Sequence, residues 1–266
     1  MFRPNVRRKR NGTPILSREE IDELGEELVW EYKPHAMVVP QEIDIDEMVQ
    51  NYLFLNQDFQ YLSHCGVYLG MMVFNDTDRV IVYDPDQGQA DYISETANTI
   101  IIDNTLLAEN QEHRYRFTMG HEAAGHSILH REVYESEINS RSVHAELQAW
   151  IECRIEHGIP DNKDPRYWTD FQTMEWQANA MSSATLMPRK MVKLVAKETI
   201  QRNPTLEGIP LCRQMTSDVS VLFNVSMEAA FYRLKNLRII PQRLEYWATI
   251  YNWINQPSAE SFSIYY

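Results

Sequence analysis

Cysteine is scarce: Cys65, Cys153 and Cys212 are the only three in 266 residues. They are widely spaced and form no CxxC pair, which suggests a reducing cytosol rather than a disulfide framework. Cys153 in that setting is read as a lone buried thiol in preference to a metal ligand. Basic charge is also short. Lys and Arg number 25 against 38 Asp and Glu, a net charge of −13. That balance argues against a generic nucleic-acid binder, whose affinity rests on basic surface. No run approaches the roughly 18 apolar residues needed to span a membrane. Arg3, Arg7, Arg8, Lys9 and Arg10 are followed by no apolar segment, so the start does not read as a signal peptide. Residues 1–14 are expected to be a basic, disordered tail, with a contact arm for acidic partners as the alternative. No internal repeat, Gly-rich phosphate loop or low-complexity tract is present.

What remains is an ordinary globular composition, 44% hydrophobic, enough to bury a core. The length suits one large domain, or one domain with a small appendage. Ser17-Arg-Glu-Glu20 has the form of a capping box, and Ile21, Leu24, Leu28 and Val29 follow at helical spacing. After Pro34 and Pro40, Ile43–Leu55 reads as a second helix. Val67–Phe74 and Arg79–Tyr83 read as a hairpin around Asn75-Asp76-Thr77-Asp78, and Thr99–Ile102 as a further strand. Helices grouped with a small sheet give an α+β fold. Val133–Asp170 is polar and broken by Gly158, Pro160 and Pro165. It is expected to be a helix plus loop covering a cleft, and His144, Glu146, Glu152, Glu156 and His157 within it receive no role. Ser217–Phe223 and Met227–Leu237 read as helix–turn–helix, with Arg233, Lys235 and Arg238 on or near the second helix's outer face. DNA contact through that pair is possible, but packing on a catalytic domain is the preferred reading. The aromatic tail, with Tyr246, Trp247, Tyr251, Trp253, Phe262, Tyr265 and Tyr266, is expected to pack on the protein itself.

The chemistry concentrates in Arg114–His130, RYRFTMGHEAAGHSILH. His121, Glu122 and His126 come close to HExxH, in which two His on one helix hold zinc and the Glu serves as general base toward water. The spacing here is one residue longer. An α-helix advances about 100° per residue, so i, i+4 leaves two side chains roughly 40° apart and i, i+5 roughly 140°. Two rings spread that far cannot reach one small cation. A π-bulge absorbs the extra residue by i→i+5 pairing, and Gly125 eases the distortion. A rival register, Glu122, His126 and His130, steps by four along an undistorted helix. His121 with His126 is preferred, and His130 is then a packing or orienting histidine.

A second segment runs from Glu175 to Pro188. Met174, Ala178, Met181, Thr185 and Leu186 give it helical spacing. Glu175, expected in the first turn, could face the metal from this second helix. Otherwise it is a favourable charge at a helix N-terminus. Two His and one Glu would leave a tetrahedral zinc one open position, the mark of a catalytic site.

Together the two segments resemble the ImmA/IrrE family of metallopeptidases. The matching positions are Arg114, Arg116, Phe117, Thr118, His121, Glu122, Gly125, His126, Leu129 and His130. They continue at Glu175, Ala178, Asn179, Met181, Leu186, Met187 and Pro188, and Asn98–Asp103 looks like the family's strand before the zinc helix. The resemblance spans about residues 20–190 and departs from the family by one extra alanine, Ala123 or Ala124. It implies a zincin-like metallopeptidase domain over 15–190; beyond it the residues themselves read as a helical extension over 191–245 and the aromatic tail over 246–266. It also implies Zn²⁺ on His121, His126 and Glu175, with Glu122 as general base. The expected activity is cleavage of a protein substrate, typically a bacterial or phage repressor, in the cytoplasm. The rivals are a DNA-binding transcription regulator and a catalytically inactive peptidase-like binding protein.

Overall fold

A computed structural model describes residues 2–134, the backbone of 150–154, and residues 164–241. His144, Glu146, Glu156, His157 and the tail aromatics lie outside the described residues. The chain is α+β. Among the described residues its main sheet has four strands in the order β1-β5-β2-β6: β1 is Asn56–Gln60, β2 Tyr68–Val73, β5 Thr99–Asp103 and β6 Trp150–Arg154. β1 runs parallel to β5, and β2 is antiparallel to both β5 and β6. β3 (Thr77–Asp84) and β4 (Gln89–Glu95) form a separate hairpin.

Every residue of β5 is buried, because the sheet is covered on both sides. Ile100, Ile102 and Met72 join the core shared with the helices, whereas Ile101, Met71 and Val73 pack under the hairpin with Val80 and Val82. A strand covered on both faces reads as an unbroken apolar run. β3 alternates instead, with Val80 and Val82 buried and Ile81 exposed, because only one face of the hairpin meets the sheet.

This layering corrects the hairpin expected from β2 and β3. Residues 74–76 carry the chain from one layer to the other, and the actual hairpin turns after Asp84, with Gly88 at φ +67°. β2 is covered on both faces, which a strand of the outer hairpin cannot be. The helix expected over Ile43–Leu55 is shorter, running as α2 (Ile45–Glu47) into a π-turn over Met48–Tyr52. The chain then enters β1, Asn-Gln-Asp-Phe-Gln, whose composition gives no strand signal. Pairing with β5 supplies what propensity lacks.

Helix α1 (Arg18–Tyr32) begins at the capping box, with Ser17 accepting from the Glu20 N–H and Glu20 from the Ser17 N–H. Helix α3 (Glu112–Gly120) continues into a π-helix at His121–His130. Helix α4 (Asp170–Leu186) packs against both α1 and the π-helix. Beyond it come α5 (Arg189–Arg202), α6 (Gly208–Phe223) and α7 (Met227–Asn236). These last three share one apolar core with the rest, since Ile21, Ile100, Met119, Phe223 and Leu234 belong to a single cluster.

Two expectations at the chain's ends are corrected. Residues 2–14 pack rather than form a disordered tail: Phe2 and Thr13 are buried, and Arg8 bonds the Leu129 carbonyl at 2.9 Å. Arg233 is not on an outer face. It is buried, paired with the Asp22 carboxylate and bonded to the Met187 carbonyl at 3.0 Å. A guanidinium inside the protein needs such partners, and Asp22 and Met187 lie too far along the chain for spacing to predict them. Arg116, from the first motif, is also buried and donates to the carbonyls of Ile43 at 2.9 Å and Asn224 at 3.1 Å. It ties the α6–α7 turn to the body. No helix among the described residues is long and apolar enough to cross a membrane.

Candidate metal centre

The pitch of the helix settles how the extra residue is accommodated. All ten residues of His121–His130 are π-helical and buried. With N–H groups bonding five residues back, each turn is wider and holds more than four residues, so the angle between positions five apart falls well below the roughly 140° of an α-helix. His121 and His126 therefore share a face, and their Nε2 atoms lie 2.9 Å apart.

Glu175 reaches the same point from α4. It sits in the second turn, not the first, because the helix starts at Asp170 behind a Thr169 cap. Its carboxylate lies 3.2 Å from His126 Nε2 and 3.6 Å from His121 Nε2. One ligand atom each from His121, His126 and Glu175 fits within a 4.8 Å span, and all three residues are buried, so the cluster could hold a metal ion.

Small residues allow the two helices to approach this closely. A Cβ on Gly125 would meet Ala178 Cβ at 2.5 Å and Ala178 Cα at 2.6 Å, and one on Gly120 would meet Ser182 Oγ at 2.6 Å. Gly125 thus matters for interhelical distance as well as local conformation. Gly125→Ala is expected to lower stability by about 1–3 kcal/mol, the usual cost of overpacking. Denaturant unfolding measures this, and an unchanged midpoint would mean that the helix pair has slack.

Hydrogen bonds fix which ring nitrogen carries each proton. The Asn179 side-chain oxygen, Oδ1, accepts from His121 Nδ1–H at 2.9 Å, leaving His121 Nε2 bare. Gln177 Oε1 accepts from His130 Nε2–H at 3.0 Å. His130 Nδ1 is then an acceptor and takes the His126 Nδ1–H at 2.9 Å. His126 Nε2 is therefore bare as well. With both Nε2 atoms assigned as acceptors, two lone pairs and the Glu175 carboxylate converge, a donor set that suits a cation. Burial supports the neutral rings. It holds His121 down to about 4, with His126 adding to the effect and Glu175 and Asn179 opposing it. Burial brings His126 to about 3. His130 also lies well below the ordinary histidine range, through burial first and His126 next.

Glu122 stands beside this cluster, fully buried. Neither of its carboxylate oxygens has a hydrogen-bond partner among the described residues. Burial, and then the Glu175 charge, push its carboxyl well above the usual range. Space for it is left by Gly70 of β2, where a Cβ would lie 2.9 Å from Glu122 Oε1 and 2.8 Å from Thr118 Cγ2.

The structure thus brings together His121, Glu122, His126 and Glu175, and it separates the rival register. His130 lies behind His126, bonded to the ring edge opposite the cluster. Sequence reasoning gave Asn179, Gln177 and Gly70 no role of their own. Asn179 did carry a signal, since it lies four residues after Glu175 on one helix and so shares its face. Cys153 is paired in register with Gly70 across β2 and β6. No family model matches the chain, and no curated protein matches it.

Proposed function

We propose that the chain is a zinc-dependent endopeptidase with a zincin-like catalytic domain, acting on a protein substrate such as a bacterial or phage repressor. The observation that carries this is the convergence of two bare imidazole nitrogens and a carboxylate beside a second carboxylate that has no hydrogen-bond partner among the described residues. Zinc with donors at about 2.0–2.1 Å in a tetrahedron separates its ligand atoms by about 3.3 Å. The separations of 2.9, 3.2 and 3.6 Å bracket that value. The three residues would hold the ion and leave it one open position.

When bound, zinc supplies a Lewis acid that makes a water acidic near neutrality and polarises a carbonyl. Glu122 carries the proton. Burial favours its protonated form, which a bound cation would offset. Its carboxylate would then accept a proton from water as the water oxygen bonds the carbonyl carbon, and return it to the amide nitrogen as the C–N bond breaks, giving a carboxylic acid and an amine. Asn179 holds the His121 ring in one orientation, and His130 does the same for His126. A structural zinc site would use its fourth position for another protein ligand and would have no need of an unpartnered Glu122.

The buried position of Arg233 weighs against the DNA-binding rival, because it removes one of the three cations assigned to the second helix. The π-helical pitch weighs against a site broken by the extra alanine. Turnover of a polypeptide requires the centre to be uncovered, since His121 and Glu175 are each only 1% exposed. β2, which passes Glu122 at Gly70, is paired on both sides. A substrate added as a strand would therefore pair with β1 or β6, or displace β6.

Elemental analysis of the purified chain tests the metal. About one zinc per chain is expected, and none after zinc supplementation would overturn the proposal. Gly70→Ala tests the role of Glu122's position. The added methyl is expected to shift the carboxyl and lower hydrolysis by up to about 100-fold with metal content unchanged. Undiminished hydrolysis would show that the carboxyl acts from elsewhere.

A further inference from the structure

The bonded path that leaves His126 continues beyond His130. Gln177 accepts from His130 at one end of its amide, and at the other its Nε2 donates to the Pro14 carbonyl at 2.9 Å. A glutamine amide can be turned either way, offering oxygen or NH2 in nearly the same place. Gln177 and His130 are both fully buried, so its orientation is decided by its two neighbours. The Pro14 carbonyl can only accept, which turns the NH2 toward Pro14 and the oxygen toward His130. His130 then keeps its proton on Nε2, and His126 presents a bare Nε2 to the cluster.

Pro14 belongs to an arm that clamps both ligand-bearing helices. Arg7–Ile15 folds back on itself: Ile15 N–H bonds the Arg7 carbonyl and Lys9 N–H the Thr13 carbonyl, both at 2.8 Å. Gly12 turns the arm at φ +89°. Arg8 binds the end of the π-helix, through the Leu129 carbonyl at 2.9 Å, and pairs with Glu132 at 2.8 Å. Asn11 donates to the Asp170 carboxylate at 2.7 Å, and Lys9 pairs with the same group at the start of α4.

We infer that residues 7–14 are a positioning element for the metal centre: Pro14, acting through Gln177 and His130, sets the proton position of His126 and hence the affinity of the site for zinc. This rests on the proposed zinc site. Gln177 and His130 are not among the candidate ligands. Their role is to orient the ligand.

The test is a zinc-competition titration against a chromophoric chelator, using the full-length chain. It is run beside ¹⁵N spectra of the histidine rings of the metal-free native protein. Gln177→Leu removes the acceptor and is expected to weaken zinc binding by about 10–100-fold. Gln177→Glu should restore native affinity, because a carboxylate offers His130 an acceptor whichever way it turns. Arg8→Ala loosens the arm and is expected to weaken zinc binding by about tenfold in the native background. It should have a smaller effect beside Gln177→Glu, a coupling read by the double-mutant cycle. The native spectra should show His126 protonated at Nδ1 and His130 at Nε2. A merely structural arm would lower melting temperatures and leave affinity and proton positions alone. Equal zinc affinity in the native chain and Gln177→Leu, or a native His126 protonated at Nε2, overturns the inference. Should Gln177→Leu fail to fold, the Arg8→Ala cycle and the native spectra decide. No zinc on the native chain sinks the proposed zinc site and this inference together, whereas bound zinc insensitive to Gln177 sinks this inference alone.

Discussion

Glu122→Gln is expected to keep about one zinc per chain and to lower peptide hydrolysis by about 10²–10⁴-fold, the usual worth of a positioned acid–base group. The size comes from isolation. Neither oxygen of the carboxyl has a hydrogen-bond partner among the described residues, and the neighbouring carboxylate, Glu175, would be engaged as a ligand. Gln matches Glu in shape and cannot accept a proton at neutral pH, so the loss falls on chemistry rather than packing. Glu122 is also not among the residues whose atoms converge as the candidate ligands, which is why metal content should hold. The measurement pairs elemental analysis with turnover of a protein or peptide substrate. Full activity in the Gln variant would remove Glu122 as the base, and loss of metal would make it a ligand.

His126→Ala is expected to abolish stoichiometric zinc, and His130→Ala to retain it at reduced affinity. A four-ligand structural zinc site is worth roughly 10–16 kcal/mol, so one ligand is worth roughly 3 kcal/mol or more. That corresponds to a loss of at least about 100-fold in affinity. His130 only receives the His126 Nδ1–H at 2.9 Å, and losing such an outer partner costs about 10–100-fold. The two variants should therefore separate when zinc is held about tenfold above the native dissociation constant, where a tenfold loss leaves about half the sites filled and a loss of 100-fold or more leaves about a tenth or fewer. The reverse order, with zinc lost only in His130→Ala, would move the site to the register that steps by four.

His121 and His126 show how far spacing could be read. A straight helix would have set the His121 and His126 rings apart, and the sequence could only name a π-bulge as the remedy. In the structure the whole of His121–His130 takes the π pitch. The capping box at Ser17 was legible because both its bonds are made within three residues. β1 was not, because Asn56–Gln60 is made a strand by parallel pairing with Thr99–Asp103. Arg233 was misread for a similar reason. Its partner Asp22 lies on α1, and nothing in the local pattern distinguishes a buried guanidinium from an exposed one.

By itself, then, the sequence determined the kinds of group available: two histidines and a glutamate on one helix, a second glutamate on another, and the small residues Gly120, Gly125 and Ala178. These are matters of residue type and short-range periodicity, carried by neighbours along the chain. Only the tertiary structure decided which nitrogens are bare, that His130 lies behind His126, and that the N-terminal arm reaches the centre at Pro14. Proton placement on a buried imidazole depends on the acceptor facing its far edge. Here those acceptors come from α4 and from the arm, segments distant in sequence and brought together by packing.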